Sequence, residues 1–424
     1  MRRPDRRKVS AVLAAGLLLT ATACGSDAEE SESKGDLPQG EELKIGFFNP
    51  KAGPLTQPGA TVGAFAAEDY INYELGGIHG RPVKLVECAT DHSAETARSC
   101  ANKFVEEKVV TVLDGYNYKS SSAHEILAAA KIPMVGAIPF DLASGNTADN
   151  NVYFSATTTD FLTGSIQAFA KDGAKSLTLV AADTESGRGL IEGFAKNIGK
   201  AAGVEVNGLY ISEQNFNIDS AAATIKETNP DVAGMMAVQN PNQCTQLVQG
   251  LRQNGYEGTI LTAACTEYIK QAPTESEGSA LYSSHWLATA KDFAPDEKKT
   301  EIEAAEKAIN AEVKENGGVA DYYAYGQFAA TVTLANALEA GSADALTGEG
   351  ILTTLKALKD FDSFLGPKIT CDGNPMYAAC SNEILVFEVD GDGRTEPLGG
   401  GWTDVDRTIT DKLLIAAAQA AAKG

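Results

Sequence analysis

Three serines in a row, Ser120, Ser121 and Ser122, are the residues whose types and spacing could do chemistry most readily. They follow a β-branched apolar run, Val109 to Leu113, then an Asp114-Gly115 stop and a loop carrying Tyr116 and Tyr118. A new apolar period begins at the serines and predicts a helix over Ser121 to Ala130. The expected order is strand, loop, helix start. Hydroxyls and unpaired backbone N–H groups at a helix start can hold a carboxylate or another polar ligand group. The plainer alternative is that one serine only caps the helix.

Other patterns offer less. Ser186-Gly187-Arg188-Gly189 with Gly193 imitates a dinucleotide fingerprint, but its spacing is G-x-G-x-x-x-G and no acidic residue ends the next strand in the expected place. Asp390-Gly391-Asp392-Gly393 imitates the start of a calcium loop without the bidentate acid, and a hairpin turn explains it better. There is no G-x-S-x-G elbow, P-loop or H-E-x-x-H pair, no C-x-x-C or H-x-x-x-H spacing, and the four histidines are scattered. No catalytic residue, metal or cofactor is expected.

The elements that must position these residues alternate strictly. Strands are predicted over Leu43 to Asn49, Val83 to Val86, Val109 to Leu113 and Pro133 to Ile138, with helical faces between them at Ala64-Ala67-Ile71-Leu75 and Ala97-Ala101-Phe104-Val105. After Tyr153-Phe154-Ser155 the pattern restarts with a helix over Thr158 to Lys171. Strands follow over Leu177 to Ala181, Val204 to Ile211, Val232 to Val238 and Thr259 to Ala263, again separated by helices. This predicts two α/β units in series, each a doubly wound parallel sheet with right-handed crossovers. A strand-like run at Leu281 to Leu287 leads into helices over Asp296 to Glu315, Tyr322 to Ala340 and Gly350 to Lys359; a hairpin from Ile384 and a final helix from Thr410 close the chain.

The first 23 residues read as an export signal. Arg2, Arg3, Arg6, Arg7 and Lys8 precede an apolar run from Ala11 to Leu19, and Ala21-Thr22-Ala23 stands before Cys24. Residues 24–42 are Ser, Gly, Asp and Glu with few apolar side chains, a tether in composition. No later stretch approaches the length of a membrane-spanning helix. Seven cysteines are odd for an exported chain, but setting Cys24 aside leaves six. By proximity they group as Cys88 with Cys100, Cys244 with Cys265 and Cys371 with Cys380, which fits three local disulfides, although other pairings stay open. The formal charge is −22, and without a leader that carries five bases against Asp5 it becomes −26. Nucleic acid is a poor partner for such a chain.

Open α/β sheets bind ligands at the loops after their strands, which here are Pro50 to Thr56, Tyr116 to Ser122, Ala137 to Asp141, Asp183 to Gly187, Gln239 to Asn242 and Ala264 to Glu267. From these loops Tyr116, Tyr118 and Phe140 are candidate apolar walls, and Ser120, Ser121, Ala137, Ser186 and Asn240 candidate contacts. Glu185 and Glu267, with Asp183, are candidate partners for an ammonium group. Trp286, Tyr322, Tyr323 and Tyr325 are read as packing residues.

Taken together the chain resembles the type I periplasmic binding proteins, in particular the leucine/isoleucine/valine and amide group that delivers solutes to ABC importers. The likeness runs from about Leu43 to Val389. It rests on Ala52-Gly53-Pro54 after the first strand, on Ile71-Asn72 leading into Gly76-Gly77-Ile78-His79-Gly80-Arg81-Pro82, on the Gly115 loop with its serines, on Asp183 to Gly189, and on Asn229-Pro230-Asp231. It implies two Rossmann-like lobes joined by three crossovers with a ligand cleft between them: lobe one over 43–156 and 287–362, lobe two over 157–286 and 363–424. It also implies hinge closure, a monomer, and a permease as partner. Ala23-Cys24 resembles the lipobox of bacterial lipoproteins, implying acylation of Cys24 and a membrane anchor. A sensory receptor of the same fold is the alternative function. Three departures concern the ligand. Ser186 stands where the family's amino-acid binders usually have tyrosine, Glu267 is displaced from the usual acidic position, and Lys119 intrudes beside the serines.

Overall fold

In β1 (Leu43–Asn49) every residue but Lys44 is buried, the pattern of a parallel strand covered by helices on both faces of its sheet. The computed structural model describes residues 35–53, 56–212, 218–236, 242–371 and 376–421. From β1 the chain passes through α1 (Pro58–Asp69), β2 (Val83–Ala89), α2 (Ala94–Glu106), β3 (Thr111–Asp114), α3 (His124–Ala129), β4 (Met134–Gly136), α4 (Leu142–Gly145) and β5 (Asn151–Tyr153). These strands make an all-parallel sheet in the order β2-β1-β3-β4-β5.

A second sheet follows. Its elements are α5 (Thr158–Asp172), β6 (Ser176–Ala182), α6 (Glu185–Arg188), α7 (Lys196–Ala202), β7 (Glu205–Ile211), α8 (Ile218–Thr228), β8 (Val232–Gly234), α9 (Asn242–Gln253), β9 (Thr259–Thr262), α10 (Glu267–Gln271), α11 (Pro273–Ser276) and β10 (Ser279–Ser283). Strands β7-β6-β8-β9-β10 are parallel. The chain then returns to the first sheet, where α12 (Asp296–Asn316) and α13 (Tyr322–Glu339) pack on α1 and α14 (Gly348–Lys356) lies by β5. After a short hairpin, β11 (Phe361–Asp362) with β12 (Lys368–Ile369), β13 (Glu383–Val389) rejoins the second sheet antiparallel to β10. Strands β14 (Thr395–Pro397) and β15 (Thr403–Asp404) flank β13, and α15 (Thr408–Ala421) ends the described chain.

The contact of α1 with α13 explains how the start of α13 is placed. A Cβ on Gly63 would sit 2.1 Å from the Ala324 carbonyl oxygen, and one on Gly59 would overlap the Asp321 carboxylate. Only glycine allows the two helices to approach so closely. Three disulfides join Cys88 to Cys100, Cys244 to Cys265 and Cys371 to Cys380, with Cα separations of 5.6, 6.6 and 4.4 Å.

The elements differ from the sequence reading at three points. The predicted helix over Ser121 to Ala130 opens as a 3-10 turn, Ser120–Ala123, before α3. The run from Leu281 leaves the sheet after Ser283, because the Trp286 N–H turns to the Leu365 carbonyl at 2.8 Å. The second sheet is not wholly parallel, since β13 is hydrogen-bonded in reverse. Among the described residues no helix is long and apolar enough to cross a membrane. Cys24 and the export signal lie outside them.

Candidate functional site

At the β3 end, Asp114 closes the strand in a buried network. Its carboxylate accepts from the Asn117 N–H at 3.0 Å and from the Tyr153 hydroxyl at 2.8 Å, and burial pushes its pKa up to about 6. The serine turn belongs to this network rather than to open space. Ser120 is fully buried, with its Oγ 2.9 Å from that of Ser144, which in turn lies 3.0 Å from His124 Nε2. The Ser121 N–H, the group expected to meet a ligand anion, donates to Asp141 Oδ2 at 2.8 Å, while Asp141 Oδ1 accepts from the Ala143 N–H at 3.0 Å. The protein's own carboxylate thus fills the anion position.

Beside this turn a cleft of about 480 Å³ opens between the two sheets. Its first wall is aromatic. Tyr118 contacts Phe140 at 5.4 Å between ring centres; Phe140 reaches Tyr323 at 6.0 Å, and Tyr323 meets Tyr322 at 5.4 Å. Tyr116 stands behind them, 5.1 Å from both Phe140 and Tyr323. Tyr116 is fully buried with a positive φ of 68°, and its hydroxyl reaches the place that a Cβ on Gly326 would occupy. It supports the wall without lining the cleft. The facing wall carries Phe161 and Tyr282, with ring centres 4.9 Å apart and planes tilted by 31°, and Leu162, Met236 and Leu190 around them. Ser186 sits on the exposed rim.

The polar groups of this chamber are mostly phenols. Tyr282 donates to the Met236 carbonyl at 2.8 Å, and the Tyr322 hydroxyl lies 3.2 Å from Ser284 Oγ. Tyr118 and half-buried Tyr323 have no hydroxyl partner among the described residues. Burial pushes both pKa values up, so these phenols stay neutral donors at neutral pH. His285, its ring centre 4.7 Å from that of Tyr322 and its plane tilted by 38°, is pushed down to about 3 by burial and is neutral as well. None of the described residues lining the cleft carries a charge.

Of the residues proposed from sequence, Tyr118, Phe140 and Ser186 line this cleft. Ser120 and Ser121 are engaged as described. Ala137 faces a much smaller cavity with Ser284 and His285. Glu185 is exposed outside the lining, and Glu267 folds back onto Thr266, with 3.1 Å between its Oε1 and the threonine hydroxyl. Asp183 is paired with Arg188 at 2.7 Å. Asn240 lies outside the described residues. Trp286 is buried as packing, but Tyr322 and Tyr323, read as packing too, line the cleft. No local signal singled them out, since residues about 100° apart can share one wide buried face of a helix.

A second, more polar cavity of about 220 Å³ lies beside Cys371, Cys380 and Arg407. The Arg407 guanidinium is held by buried Asp160 at 2.7 Å, and the Lys356 ammonium, also on this lining, donates to the Asp149 carbonyl at 2.9 Å. Among the described residues no cluster of three His, Cys, Asp or Glu could hold a metal.

The profile of the periplasmic binding protein family matches residues 42–394. The chain belongs to that family, whose members bind ligands without catalysis and lie outside the cytoplasm. A substrate-binding periplasmic protein from Ralstonia solanacearum aligns at 19% identity with a TM-score of 0.65, covering 84% of this chain and 99% of that one. The leucine-binding protein LivK of Thermotoga maritima aligns at 18% identity and a TM-score of 0.63, over 85% of this chain and 99% of that one. LivJ of Streptococcus pneumoniae, solved in complex with isoleucine, aligns at 17% and 0.62, over 84% and 98%. At such identities the likeness is one of fold: two α/β lobes of the type I class. No curated protein matches the chain in sequence.

Proposed function

We propose that this protein is the solute-binding component of an ABC importer, held at the membrane by a lipid on Cys24 after export through the Sec route. A small amphipathic solute enters the cleft, the lobes close about their hinge, and the closed form presents the solute to the permease. The lobe boundaries near Ala156, Leu287 and Asp362 belong to this reading. So do a monomeric state and a membrane partner reached through the tether of residues 24–42. Branched-chain amino acids, amides and small carboxylates or aromatic solutes are the solute classes in view. The observation that supports this most is the cleft itself. It lies at the C-terminal ends of strands from both sheets, where open α/β sheets take ligands. Native mass spectrometry of the protein purified without denaturation should reveal a bound small molecule, and calorimetry should return it to the emptied protein at one per chain. A protein that carries no small molecule and takes up none would contradict the reading. For the anchor, Cys24→Ala should move the protein from the membrane to the soluble fraction; unchanged fractionation would remove the lipid from the account.

A further inference from the structure

The geometry points to an uncharged, ring-bearing solute with an oxygen acceptor, rather than an amino acid or a carboxylate; this rests on the solute-binding reading above and names the chemistry of the same cleft. An amino-acid zwitterion needs a fixed donor set for its carboxylate and an acid for its ammonium. The donor set is closed here, because the Ser121 N–H is taken by Asp141 and Ser120 by Ser144. The acid is turned away, because Glu267 folds back onto Thr266. No charged group lines the cleft among the described residues. A charge brought into such a chamber loses its hydration without a partner, a cost of several kcal/mol per ion in protein interiors.

What the cleft does offer is matched to a neutral body. Tyr118, Phe140 and Tyr323 on one side face Phe161 and Tyr282 on the other, so a flat ring can lie between aromatic faces and edges. The hydroxyls of Tyr118 and Tyr323 are open donors on the aromatic wall, with those of Thr158 and Ser186 also on the lining, and they suit a carbonyl, ether or alcohol oxygen. A cleft of about 480 Å³ also falls within the ~300–1,000 Å³ of sites that enclose drug-sized molecules. Leucine or isoleucine would leave much of it unfilled.

Calorimetric titration of the full chain at pH 7 with four probes tests this: biphenyl-4-methanol, biphenyl-4-carboxylate, biphenyl-4-methylammonium and leucine. The alcohol should bind on the order of a hundredfold more tightly than either ion, given the desolvation cost of an unpaired charge, and leucine should not bind. Preference for an ion or for leucine overturns the inference and leaves solute binding standing. Failure of all four also overturns it, and the presence or absence of a co-purified small molecule then decides whether the solute-binding reading falls with it. The rim variant Ser186→Asp, at an exposed position that tolerates the change, should raise affinity for the ammonium relative to the alcohol by about tenfold through the new opposite charge. An unchanged ratio would mean that the ring does not sit in this cleft.

Discussion

Two helix starts stand beside the cleft, each tied down by a buried aspartate, and they use their polar groups in opposite ways. At the serine turn, Asp141 takes the Ser121 and Ala143 N–H groups, and Ser120 is bonded to Ser144. The start of α13 has Asp321 as its cap, accepting from the Ala324 N–H at 3.0 Å, and the helix sends Tyr323 outward with its hydroxyl open. The first is a closed joint and the second a contact surface. Hydrogen-bonding capacity in the sequence predicts ligand contact only where the fold has left it unsatisfied.

The largest expected effect is at Asp321. Burial, with the charge of Glu267 adding, pushes its carboxyl up to about 7 from an ordinary value of 3.8. A carboxyl raised in the folded state favours its protonated form there. Its stabilising contribution is therefore complete below about pH 4 and is lost as pH rises through 7. Asp114, pushed up to about 6, acts in the same direction. Urea unfolding at pH 5, 6, 7 and 8 should show stability falling with pH, by on the order of a few kcal/mol in all. Asp321→Asn keeps the cap and should flatten the upper part of that slope. A wild-type curve that is level from pH 5 to 8 would contradict this.

Next in size is the other aspartate. Asp141→Ala leaves two backbone N–H groups without their acceptor and should cost about 1–3 kcal/mol of stability. Affinity for a neutral ligand should change little, since the joint stands outside the lining. A large affinity loss with unchanged stability would return the turn to the binding site. At the open helix start the pattern reverses. Tyr323→Phe should leave the unfolding midpoint where it is and weaken binding by roughly 0.5–1.5 kcal/mol, the value of one hydrogen bond. Smallest of all is Ser121→Ala, because only the backbone of Ser121 is used. Both stability and affinity should stay within about 0.5 kcal/mol of the parent, and a clear affinity loss would show that its hydroxyl meets the ligand.

Much of this architecture was legible in the residues. Apolar runs of strand length separated by helical periodicity foretold two α/β units, and the proximity of Cys88 and Cys100, Cys244 and Cys265, Cys371 and Cys380 matched the disulfides found. Tyr118 and Phe140 were legible because loops after parallel strands face the ligand side of a sheet. The closing of the serine turn was not, because its acceptor arrives from Asp141, twenty residues onward and on another loop. Nor was the place of Tyr322 and Tyr323. They reach the cleft through the close packing of α13 on α1, which depends on Gly59 and Gly63 far away in sequence. Local pattern carries strands and caps, whereas which polar group is left over is a property of the assembled fold.

That this cleft takes a solute without charge is tested most directly by the charge, at neutral pH, of the compound that natively purified protein releases on denaturation. An uncharged molecule carrying a ring and an oxygen acceptor is the predicted result, and a carboxylate, an ammonium ion or an amino-acid zwitterion would contradict it.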